Sequence, residues 1–350
     1  MSVELSLVLV TYHSSAVVPA AVASFRAEAA ALGVASEVVI VDHSDDEDES
    51  ERLRTLTPER LLARPNRGYA AGINAGVAAS SGRTVLVGNP DIAFEAGSVA
   101  ALLTALNGGW DVVGPQFLLA GLRFPPADLQ TPGEQLRRWL AGRSPALWRR
   151  EVCRELARSR AVWEASEPVA VPLLSGALLA CRREALARVG PWDEEYFLYF
   201  EETDWLRRAA AAGLRLAQVP RARVEHSWGH AADPEATGEQ FARSRRRYLA
   251  MYHGWRGRLA SRLTGGPAPL QRSPLPTGPE ALPPGRLQWL LSPTALGIPA
   301  AGLSGTAQEF SSALRGVSGA RGDRGRFLVL ALEPGSGRPA GVWSWEVGGG

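Results

Sequence analysis

Short apolar runs alternate with helical stretches along the first third of the chain. The runs are rich in β-branched residues and comprise 5–12 (LSLVLVTY), 37–44 (EVVIVDHS), 60–64 (RLLAR), 83–91 (RTVLVGNPD) and 111–115 (DVVGP). Between them lie an alanine-rich helical stretch that ends at Gly33 and two further helical stretches, over 70–82 and 95–107. Continuous apolar strands that alternate with helices indicate a parallel sheet with both faces covered. The pattern therefore predicts an α/β fold built on a mostly parallel sheet with helices on both faces.

The C-terminal part of the chain has a different character. Residues 263–286 are rich in Pro and Gly, which is typical of a linker. Beyond them, 326–334 (RFLVLALEP) and 341–347 (GVWSWEV) flank a turn and predict a hairpin of two strands. A hairpin alone is marginal in water, so it either docks on the main domain or belongs to a small β module. We therefore expect a main domain at 1–262, a linker at 263–286 and a small β-rich segment or module at 287–350.

Composition and charge narrow the class of protein. The 350 residues are 45% hydrophobic, which is enough for a sizeable core. All 38 basic residues are Arg, and the formal net charge is only +2. Because the net charge is small, any basic binding surface must be local, and we expect no nucleic-acid partner. Two cysteines provide no disulfide framework and fit a reducing compartment. The start MSVELSLVLVTYHS predicts a first strand rather than a signal peptide, and no apolar run approaches the ~20 residues of a membrane span, so we expect a cytoplasmic protein.

Polar residues follow several predicted strands directly. Thr11 and Tyr12 follow the first strand, Asp42 the second, the PNRGY turn at 65–69 the third, and Asn89 to Asp91 the fourth. Because ligands of parallel sheets bind beyond the carboxyl ends of the strands, we expect these residues to converge on one crevice. There Asp42 could accept a hydrogen bond from a nucleobase or a ribose.

Asp91 and His226 are candidate ligands for a metal ion. Asp91 ends the NPD motif after a strand, and Asn89 offers a neutral oxygen two residues earlier, which are the ligand types that Mg²⁺ and Mn²⁺ prefer. His226 opens the HSWGH motif after a strand-like stretch and is a ligand that Mn²⁺ tolerates. Simpler interpretations remain open: NPD as an Asx-Pro turn that caps a helix, and His226 as an ordinary loop histidine.

The stretch 65–76 (PNRGYAAGINAG) is punctuated by glycine and opens a helix. Its glycines could let the backbone approach a diphosphate, because the N–H groups at a helix N-terminus favour anions. The stretch matches neither the dinucleotide-binding pattern nor the P-loop pattern. A loop with small residues that pack a helix explains it equally well.

Three carboxylates stand close together in 197–205 (FLYFEETDW). Glu201, Glu202 and Asp204 follow an aromatic run that should be buried, at the beginning of a helix predicted over 203–213. The helix dipole stabilises anions in the first turn by ~0.3 to 1 kcal/mol each, which offsets part of their repulsion and keeps a carboxylate ionised, as a general base requires. Helix capping alone explains one or two of these acids, but it explains three beside FLYF less well.

Two segments are rich in arginine. Residues 131–163 contain eight Arg against three Glu, and residues 243–262 contain seven Arg and no acid. Both predict helices whose basic faces suit phosphate-bearing or membrane-surface partners. Solvated helix faces in a chain that uses only Arg are the alternative interpretation.

Taken in order, these motifs resemble those of the inverting GT-A glycosyltransferases, in particular the bacterial group that includes rhamnosyltransferases and galactofuranosyltransferases. The resemblance runs from Leu5 to Tyr252 and is carried by LVLVTYHS, VVIVDHS, PNRGYAAGINAG, VLVGNPD, LSGALLACRREALARVGPWDEEYFLYFEETDW and VEHSWG. Each motif is weak alone, and it is their common order that makes the set specific.

The resemblance implies transfer of a sugar from a nucleotide-diphosphate donor, with Mg²⁺ or Mn²⁺, by direct displacement at the anomeric carbon. By position, it implies a donor pocket of Thr11, Tyr12, Asp42, Asn66, Gly68 and Asn89. It implies a metal site of Asp91 and His226, and a sugar and acceptor site of Ser175, Gly176, Trp192 and Asp193. It implies Glu202 as the catalytic base, with Glu201 and Asp204 orienting the acceptor or the base.

The same resemblance implies a biological setting. The sugar would be one such as rhamnose, and the acceptor a saccharide or a lipid-linked saccharide in the synthesis of cell-surface glycans. Such an acceptor would give the Arg-rich segments 131–163 and 243–262 a function in peripheral association with the inner face of the plasma membrane.

The sequence departs from the family pattern at two positions. Asn89 stands where the general D-x-D motif has Asp, which predicts modest metal affinity. Glu202 stands where the base is usually Asp, and its extra methylene moves the carboxylate by ~1 Å, a displacement that can cost about 100-fold in rate. A non-catalytic relative that binds sugar nucleotides or glycans is therefore one alternative. Another is a nucleotidyltransferase, which predicts a glycine-rich loop with a basic residue after the first strand; TYHSSAVVPA has neither.

Overall fold

The computed structural model describes residues 3–227, 234–263, 273–276, 279–321 and 325–347. The strands are β1 (Leu5–Thr11), β2 (Ser36–Asp42), β3 (Arg60–Ala63), β4 (Thr84–Gly88), β5 (Ile92–Phe94), β6 (Val112–Leu119), β7 (Leu122–Arg123), β8 (Val169–Ala170), β9 (Leu178–Arg182), β10 (Leu216–His226), β11 (Leu287–Ser292), β12 (Ala301–Gly305), β13 (Gly325–Leu332) and β14 (Pro339–Val347). The helices are α1 (Val18–Leu32), α2 (Glu47–Arg54), α3 (Tyr69–Ala79), α4 (Ser98–Asn107), α5 (Pro132–Ala141), α6 (Pro145–Trp163), α7 (Arg183–Val189), α8 (Glu201–Ala211), α9 (Pro234–Leu263) and α10 (Ala307–Arg321). Positions 228–230 of the HSWGH motif, and 264–272 and 277–278 of the predicted linker, lie outside the described residues.

Strands β3, β2, β1 and β4 are neighbours in that order and run parallel. The central strand β1 is buried along its whole length because its side chains alternate between two cores. Leu5, Leu7 and Leu9 share one core with α1 and α4, whereas Val8 and Val10 share the other with α3 and α8. The predicted α/β class, a mostly parallel sheet with helices on both faces, is confirmed.

One strand that the sequence pattern did not single out changes the geometry of the crevice. β9 lies between β4 and β6 and is antiparallel to both. Its first residue therefore lies beside the last residue of β4, with Leu178 opposite Gly88, and the N–H of Asn89 donates to the carbonyl of Ala177 at 2.9 Å. This antiparallel insertion brings the loop before β9 to the carboxyl edge of the parallel strands.

A second antiparallel pairing brings the end of β10 to the same edge. β10 runs parallel to β6 but pairs antiparallel with the short β5, which places His226 opposite Ile92. The N–H of Ser227 donates to the carbonyl of Asp91 at 3.1 Å. His226 and Ser227, the first two residues of the HSWGH motif, are therefore neighbours of the NPD motif in the fold.

The C-terminal strands continue the same sheet. β12 pairs with β7 through Gly302 and Arg123, and β12, β11, β13 and β14 follow in antiparallel order, with β13 and β14 forming the predicted hairpin. One face of these strands packs on α10, where Trp289 stacks on Phe310 at 4.8 Å between ring centroids. The other face packs on α6, whose Trp148 donates from Nε1 to the carbonyl of Leu296 at 2.9 Å. The boundaries expected at 262/263 and 286/287 stay a prediction.

The Arg-rich segments are helical. Residues 131–163 hold α5 and α6, and 243–262 fall within α9, which is kinked at Gly254. α5 packs against both α6 and α9. Within the described part of the chain, none of the helices combines the length and apolar character needed to cross a bilayer.

We predict that Trp148→Ala destabilises the protein by about 3–5 kcal/mol, because it opens a cavity between α6 and the C-terminal strands and removes the bond to Leu296. Urea-induced unfolding monitored by circular dichroism measures this change. Arg149→Ala, at the exposed neighbouring position, is the matched control and should leave the free energy of unfolding unchanged. A loss below about 1 kcal/mol for Trp148→Ala would contradict the proposed packing.

Candidate active site

The acidic motif enters α8 through a tight turn. Tyr199 and Phe200 both have a φ of 68°, a left-handed conformation that costs free energy in non-glycine residues. The turn is anchored by the hydroxyl of Ser244, which donates to the carbonyl of Leu198 at 2.8 Å, and by the N–H of Tyr69, which donates to the carbonyl of Phe197 at 2.7 Å. The strained turn places the first residues of α8 at the bottom of a cavity.

The three acids of this motif have three different environments. Glu201 is buried, and its Oε2 has no hydrogen-bond partner among the described residues. Glu202 lines the cavity, and the hydroxyl of Thr203 donates to its Oε1 at 3.2 Å. Asp204 points elsewhere: it accepts hydrogen bonds from Arg208 at 2.9 Å and from the hydroxyl of Tyr252 at 2.6 Å. The structure therefore brings Glu201 and Glu202 together and directs Asp204 toward α9.

Burial decides the protonation of the glutamate pair. It raises the pKa of Glu201 well above its ordinary value, and the neighbouring charge of Glu202 raises it further. Burial also raises the pKa of Glu202, although bonds from backbone N–H groups, from Thr203 and from Glu201 oppose the increase. Interaction between the two side chains raises the pKa of Glu201 and lowers that of Glu202, so Glu201 is the more readily protonated member of the pair.

Asp91 and His226 form the second polar group of the site. Asp91 Oδ1 lies 3.3 Å from His226 Nε2, with side-chain exposures of 8% and 12% respectively. The side-chain nitrogen of Asn89 also lies 3.3 Å from His226 Nε2, and Asn89 Oδ1 accepts a hydrogen bond from the hydroxyl of Tyr69 at 2.8 Å. The imidazole itself lies between the rings of Phe117 and Phe124.

The donor set of this group fits a metal with open coordination positions. Among the described residues there is no cluster of three or more His, Cys, Asp or Glu side chains that could hold a metal ion. One carboxylate and one imidazole nevertheless form a pair that Mn²⁺ tolerates where phosphate oxygens and water complete the shell, and the carboxylate alone suits Mg²⁺. Asn89 presents its oxygen to Tyr69, so it orients His226 and leaves Asp91 and His226 as the candidate ligands.

Tyr69 connects the two polar groups. Burial raises the pKa of its hydroxyl well above the ordinary value, and the charges of Glu201, Glu202 and Asp91 raise it further. Because the hydroxyl of Tyr69 is close enough to interact electrostatically with all three carboxyl groups, these groups surround one site. The PNRGY turn was expected at the crevice, but its sequence indicated no role for Tyr69, which directly follows Gly68.

The cavity in front of Glu202 has a volume of about 290 Å³. Its polar lining consists of Ser175, Glu202, His226, Asp128, Gln130 and Arg138, and its apolar lining includes Phe117, Phe124, Tyr199 and Phe241. Part of one wall comes from the C-terminal segment, at Pro299 to Ala301. The mixture of aromatic walls and few polar groups is typical of a small-molecule site.

Two glycines of the predicted site are required by close packing. At Gly176, an added Cβ would lie 2.8 Å from Cγ of Glu202, so Gly176 lets the loop before β9 pack directly on the glutamate. At Gly68, with a φ of 98°, an added Cβ would lie 2.5 Å from the carbonyl oxygen of Phe197. Ser175 next to Gly176 lines the cavity.

The predicted donor residues follow β1, β2, β3 and, for Asn89, β4, and they do not line this cavity. Asp42 is buried and accepts hydrogen bonds from Thr11 Oγ1 at 3.2 Å, Ser44 Oγ at 2.6 Å and Ser50 Oγ at 2.7 Å. Asn66 Oδ1 accepts from the N–H of Gly68 at 3.0 Å and so shapes the turn. Tyr12 is 46% exposed and is free to contact a ligand ring.

Trp192 and Asp193 also lie outside the cavity. Trp192 is buried and stacks on Trp205, with ring centroids 4.5 Å apart and planes inclined by 6°. Asp193 accepts a hydrogen bond from Arg247 at 2.8 Å; although burial raises its pKa, this bond helps to bring the pKa below the ordinary value. Both residues join α8 and α9 to the loop between α7 and α8.

We predict that Glu201→Gln weakens the pH dependence of stability. A glutamate whose folded-state pKa is raised above its unfolded value of about 4.5 stabilises the fold below that pH, and the contribution is lost as pH rises toward the folded pKa. The amide of the variant carries no titrating proton, so the variant should lose less stability between pH 4.5 and 8. At neutral pH its free energy of unfolding should exceed that of the parent by about 1.4 kcal/mol for each pKa unit by which folding raises the pKa of Glu201.

Urea-induced unfolding at several pH values measures the effect of Glu201→Gln. Glu184→Gln, at an exposed position of α7, is the control and should follow the parent protein. Identical pH dependence in Glu201→Gln and the parent would show that Glu201 is ionised in the folded state.

Comparison with known proteins found a family match for the first part of the chain. Residues 6–148 match the family model described as "Glycosyl transferase family 2". This segment contains Asn89 and Asp91, whereas Glu202 and His226 lie beyond it. The chain is also 30% identical over 178 residues to N-acetylglucosaminyl-diphospho-decaprenol L-rhamnosyltransferase of Mycobacterium tuberculosis, in strains CDC 1551 / Oshkosh and ATCC 25618 / H37Rv. The alignment covers 49% of this chain and 56% of each relative, so the chain spans about half the length of the curated relatives it matches.

Two solved structures show more distant likeness. A mannosyltransferase from Pyrobaculum calidifontis, in complex with GDP-Man and Mn²⁺, has a TM-score of 0.49 and 15% identity, over 72% of this chain and 64% of that one. GalNAc-T7 with UDP, GalNAc and Mn²⁺ has a TM-score of 0.45 and 16% identity, over 64% of this chain and 44% of that one. Roles for individual residues therefore rest on the geometry of this chain.

The family match, the curated relatives and the order of the motifs agree with one another. Residues 6–148 are therefore similar to glycosyl transferase family 2, and about half of the chain is similar to the L-rhamnosyltransferase of Mycobacterium tuberculosis.

Proposed function

We propose that the protein is a metal-dependent inverting glycosyltransferase that moves a sugar from a nucleotide-diphosphate donor to a saccharide or lipid-linked acceptor. The observation that carries this proposal is the position of Glu202 at the wall of a mostly apolar cavity that His226 also lines. A general base must be ionised, must have a raised pKa to be strong enough, and must be able to reach a substrate hydroxyl. Burial raises the pKa of Glu202, its partner Glu201 is the more readily protonated of the two, and the cavity gives a substrate access to it.

In the proposed reaction, Glu202 takes the proton of an acceptor hydroxyl while that oxygen attacks the anomeric carbon of the donor sugar. The new bond between oxygen and carbon forms as the bond from that carbon to the diphosphate oxygen breaks, on the opposite side, so the configuration inverts. The proton remains on Glu202 and the nucleoside diphosphate leaves. Glu201, which keeps its own proton, donates a hydrogen bond that holds the carboxylate of Glu202 in place.

Asp91 and His226 are proposed to hold the divalent cation, Mg²⁺ or Mn²⁺. When bound, the cation would neutralise negative charge on the departing diphosphate. Tyr69 and Asn89 keep His226 oriented, since the Tyr69 hydroxyl bonds to Asn89 and Asn89 contacts the imidazole. The nucleoside is proposed to lie toward Thr11, Tyr12, Asp42 and Asn66, at the ends of the parallel strands.

The acceptor side is proposed to be the aromatic part of the cavity. The apolar faces of a saccharide ring can pack against Phe124, Tyr199 and Phe241, while Asp128 and Gln130 can bond to its hydroxyl groups. By analogy with the relative whose name includes L-rhamnosyl transfer and a diphospho-decaprenol acceptor, we propose a similar deoxysugar and a lipid-linked acceptor for cell-surface glycans. The protein would then work on the cytoplasmic side of the plasma membrane.

We predict that Glu202→Gln lowers the rate of sugar transfer by about 10²–10⁴-fold, because the amide cannot accept the acceptor proton. Transfer is measured with purified full-length chain, a panel of nucleotide sugars, Mn²⁺ or Mg²⁺ and a lipid-linked saccharide. The melting-temperature increase caused by donor and metal should remain in the variant, since a ligand at 100 times its Kd adds ~2.7 kcal/mol whether or not turnover follows.

Two results would oppose the proposal. A parent protein that binds a sugar nucleotide but gives no transfer, and that Glu202→Gln leaves unchanged, would favour the non-catalytic relative. If no nucleotide sugar shifted the melting temperature with either metal, the proposed donor site would be contradicted. Glu202→Asp is the informative control, because it keeps a base and changes only its reach.

We predict that Ala300→Trp raises the KM for the acceptor by at least about tenfold, because a mis-sized group in a pocket changes discrimination by 10–200-fold. The KM for the donor should stay unchanged, since Ala300 lies in the C-terminal wall rather than near Asp91. Ala31→Trp, at an exposed position of α1, is the size-matched control. Equal effects on both substrates would place Ala300 outside the acceptor site.

A further inference from the structure

Much of the positive charge in 131–163 is neutralised within the protein. Arg138 and Arg158 pair with Asp128 and Glu155. Arg137 pairs with Glu151, and Arg160 pairs with Glu164. These arginines bind α5 and α6 to each other and to the loop before α5. Their abundance in the sequence is therefore explained largely by an internal ion-pair network.

The second half of α9 is different. From Phe241 to Leu263 the chain contains no acidic residue. Its exposed basic residues are Arg243, Arg246, Arg256, Arg258 and Arg262. In the part of the chain that the structure describes, none of these five takes part in an ion pair. A basic surface therefore remains on α9.

Large apolar side chains are exposed in the same region. Apart from Tyr12 and Leu32, every exposed large hydrophobic residue among those described belongs to α5, α6 or α9. They are Leu136, Leu140, Leu147, Phe241, Met251, Trp255 and Leu259. Trp255 is 64% exposed, and Leu259 follows one turn later on the same helix face. α5 packs against both α6 and α9, so these side chains lie on adjoining helices, with Trp255 and Leu259 after the kink of α9 at Gly254; we call their exposed surface the α5–α9 face.

The α5–α9 face adjoins the cavity. Arg138 of α5 and Phe241 of α9 both line it. Phe241 contacts the rings of Tyr199 and Phe200, in the turn that delivers Glu202. The part of the face around Phe241 therefore adjoins the cavity.

We propose that the α5–α9 face docks on an anionic phospholipid bilayer, with Leu136, Leu140, Met251, Trp255 and Leu259 inserted among the lipids and the α9 arginines on the phosphates. Helices that combine exposed Trp and Leu with unpaired arginines bind the interface of anionic membranes. The proposal rests on the proposed function only in explaining why a lipid-linked acceptor would meet the cavity there.

A second copy of the chain fits this face less well. In a two-fold dimer the same patch meets itself, so the unpaired arginines of α9 would face one another with no acid to compensate. Bilayer phosphates supply the missing negative charge, and acyl chains cover the apolar side chains. Charge and apolarity together favour the lipid surface.

The test uses the full-length protein and sedimentation with vesicles of phosphatidylcholine, with or without phosphatidylglycerol. We expect binding to vesicles that contain phosphatidylglycerol, a decrease in binding at high salt, and weak binding to phosphatidylcholine alone. The double variant Trp255→Ala/Leu259→Ala should lower the partition coefficient by at least about tenfold, because each buried apolar side chain contributes to binding. Arg256→Ala/Arg258→Ala should weaken binding and its salt dependence together.

Leu32→Ala, which removes an exposed leucine of α1, is the matched control and should bind as the parent does. Unfolding curves of all variants should coincide, since the substituted side chains are exposed. Absence of binding to anionic vesicles, or equal binding by Trp255→Ala/Leu259→Ala, would overturn the proposal. So would a dimer in light scattering that this variant dissociates, because it would assign the face to a second copy. Vesicle binding requires no nucleotide sugar, so it can fail while sugar transfer is intact, and the reverse.

Discussion

Two buried carboxyl groups in contact, with no cation between them, can be held only if one of them keeps its proton. Glu201 and Glu202 satisfy this constraint because their burial is unequal: Glu201 is sealed beneath the turn, whereas Glu202 reaches the cavity. This difference favours a protonated Glu201 beside an ionised Glu202. Asp204, the third acid of the motif, is neutralised separately by Arg208 and stays outside this balance.

The left-handed turn at Tyr199 and Phe200 is what creates the inequality. It costs backbone free energy, and the packing of Phe200 on Tyr248, together with the bond from Tyr69 to Phe197, compensates for that cost. The glycine-punctuated PNRGY motif therefore has a packing function in addition to any role toward a phosphate. Gly68 and Gly176 both support the glutamate pair, the first by letting backbone approach the turn and the second by letting backbone approach the Glu202 side chain.

Sequence periodicity predicted β1 to β4, with α1 and α3 between them, because these strands are apolar runs that alternate with helical stretches. It did not single out β9, since LLACR is short and runs directly into α7, and periodicity cannot tell such a run from a helix start. Helical geometry explains the divergence of Glu202 and Asp204: two positions apart means about 200° around the helix axis, so both cannot face one cavity. Trp192 and Asp193 lie near the acids in the chain, yet stacking on Trp205 and ion pairing with Arg247 turn them toward α8 and α9. Pro299 to Ala301 could not be found at all, because their contribution depends on a sheet contact, between β7 and β12, that joins distant parts of the chain.

The wall formed by Pro299 to Ala301 is supported by a different part of the fold from the proposed catalytic residues. The atoms proposed to make and break bonds are held by α8, β9 and β10, whereas this wall is held by β11 and β12 on a different core. Substitutions in the C-terminal strands can therefore reshape the space available to an incoming sugar without disturbing the electrostatics of the glutamate pair. If homologous chains differ in the saccharide they accept, we expect the sequence differences to lie in these terminal strands. Exchanging the strands between homologous chains would then change substrate selectivity and leave the glutamate pair unaltered.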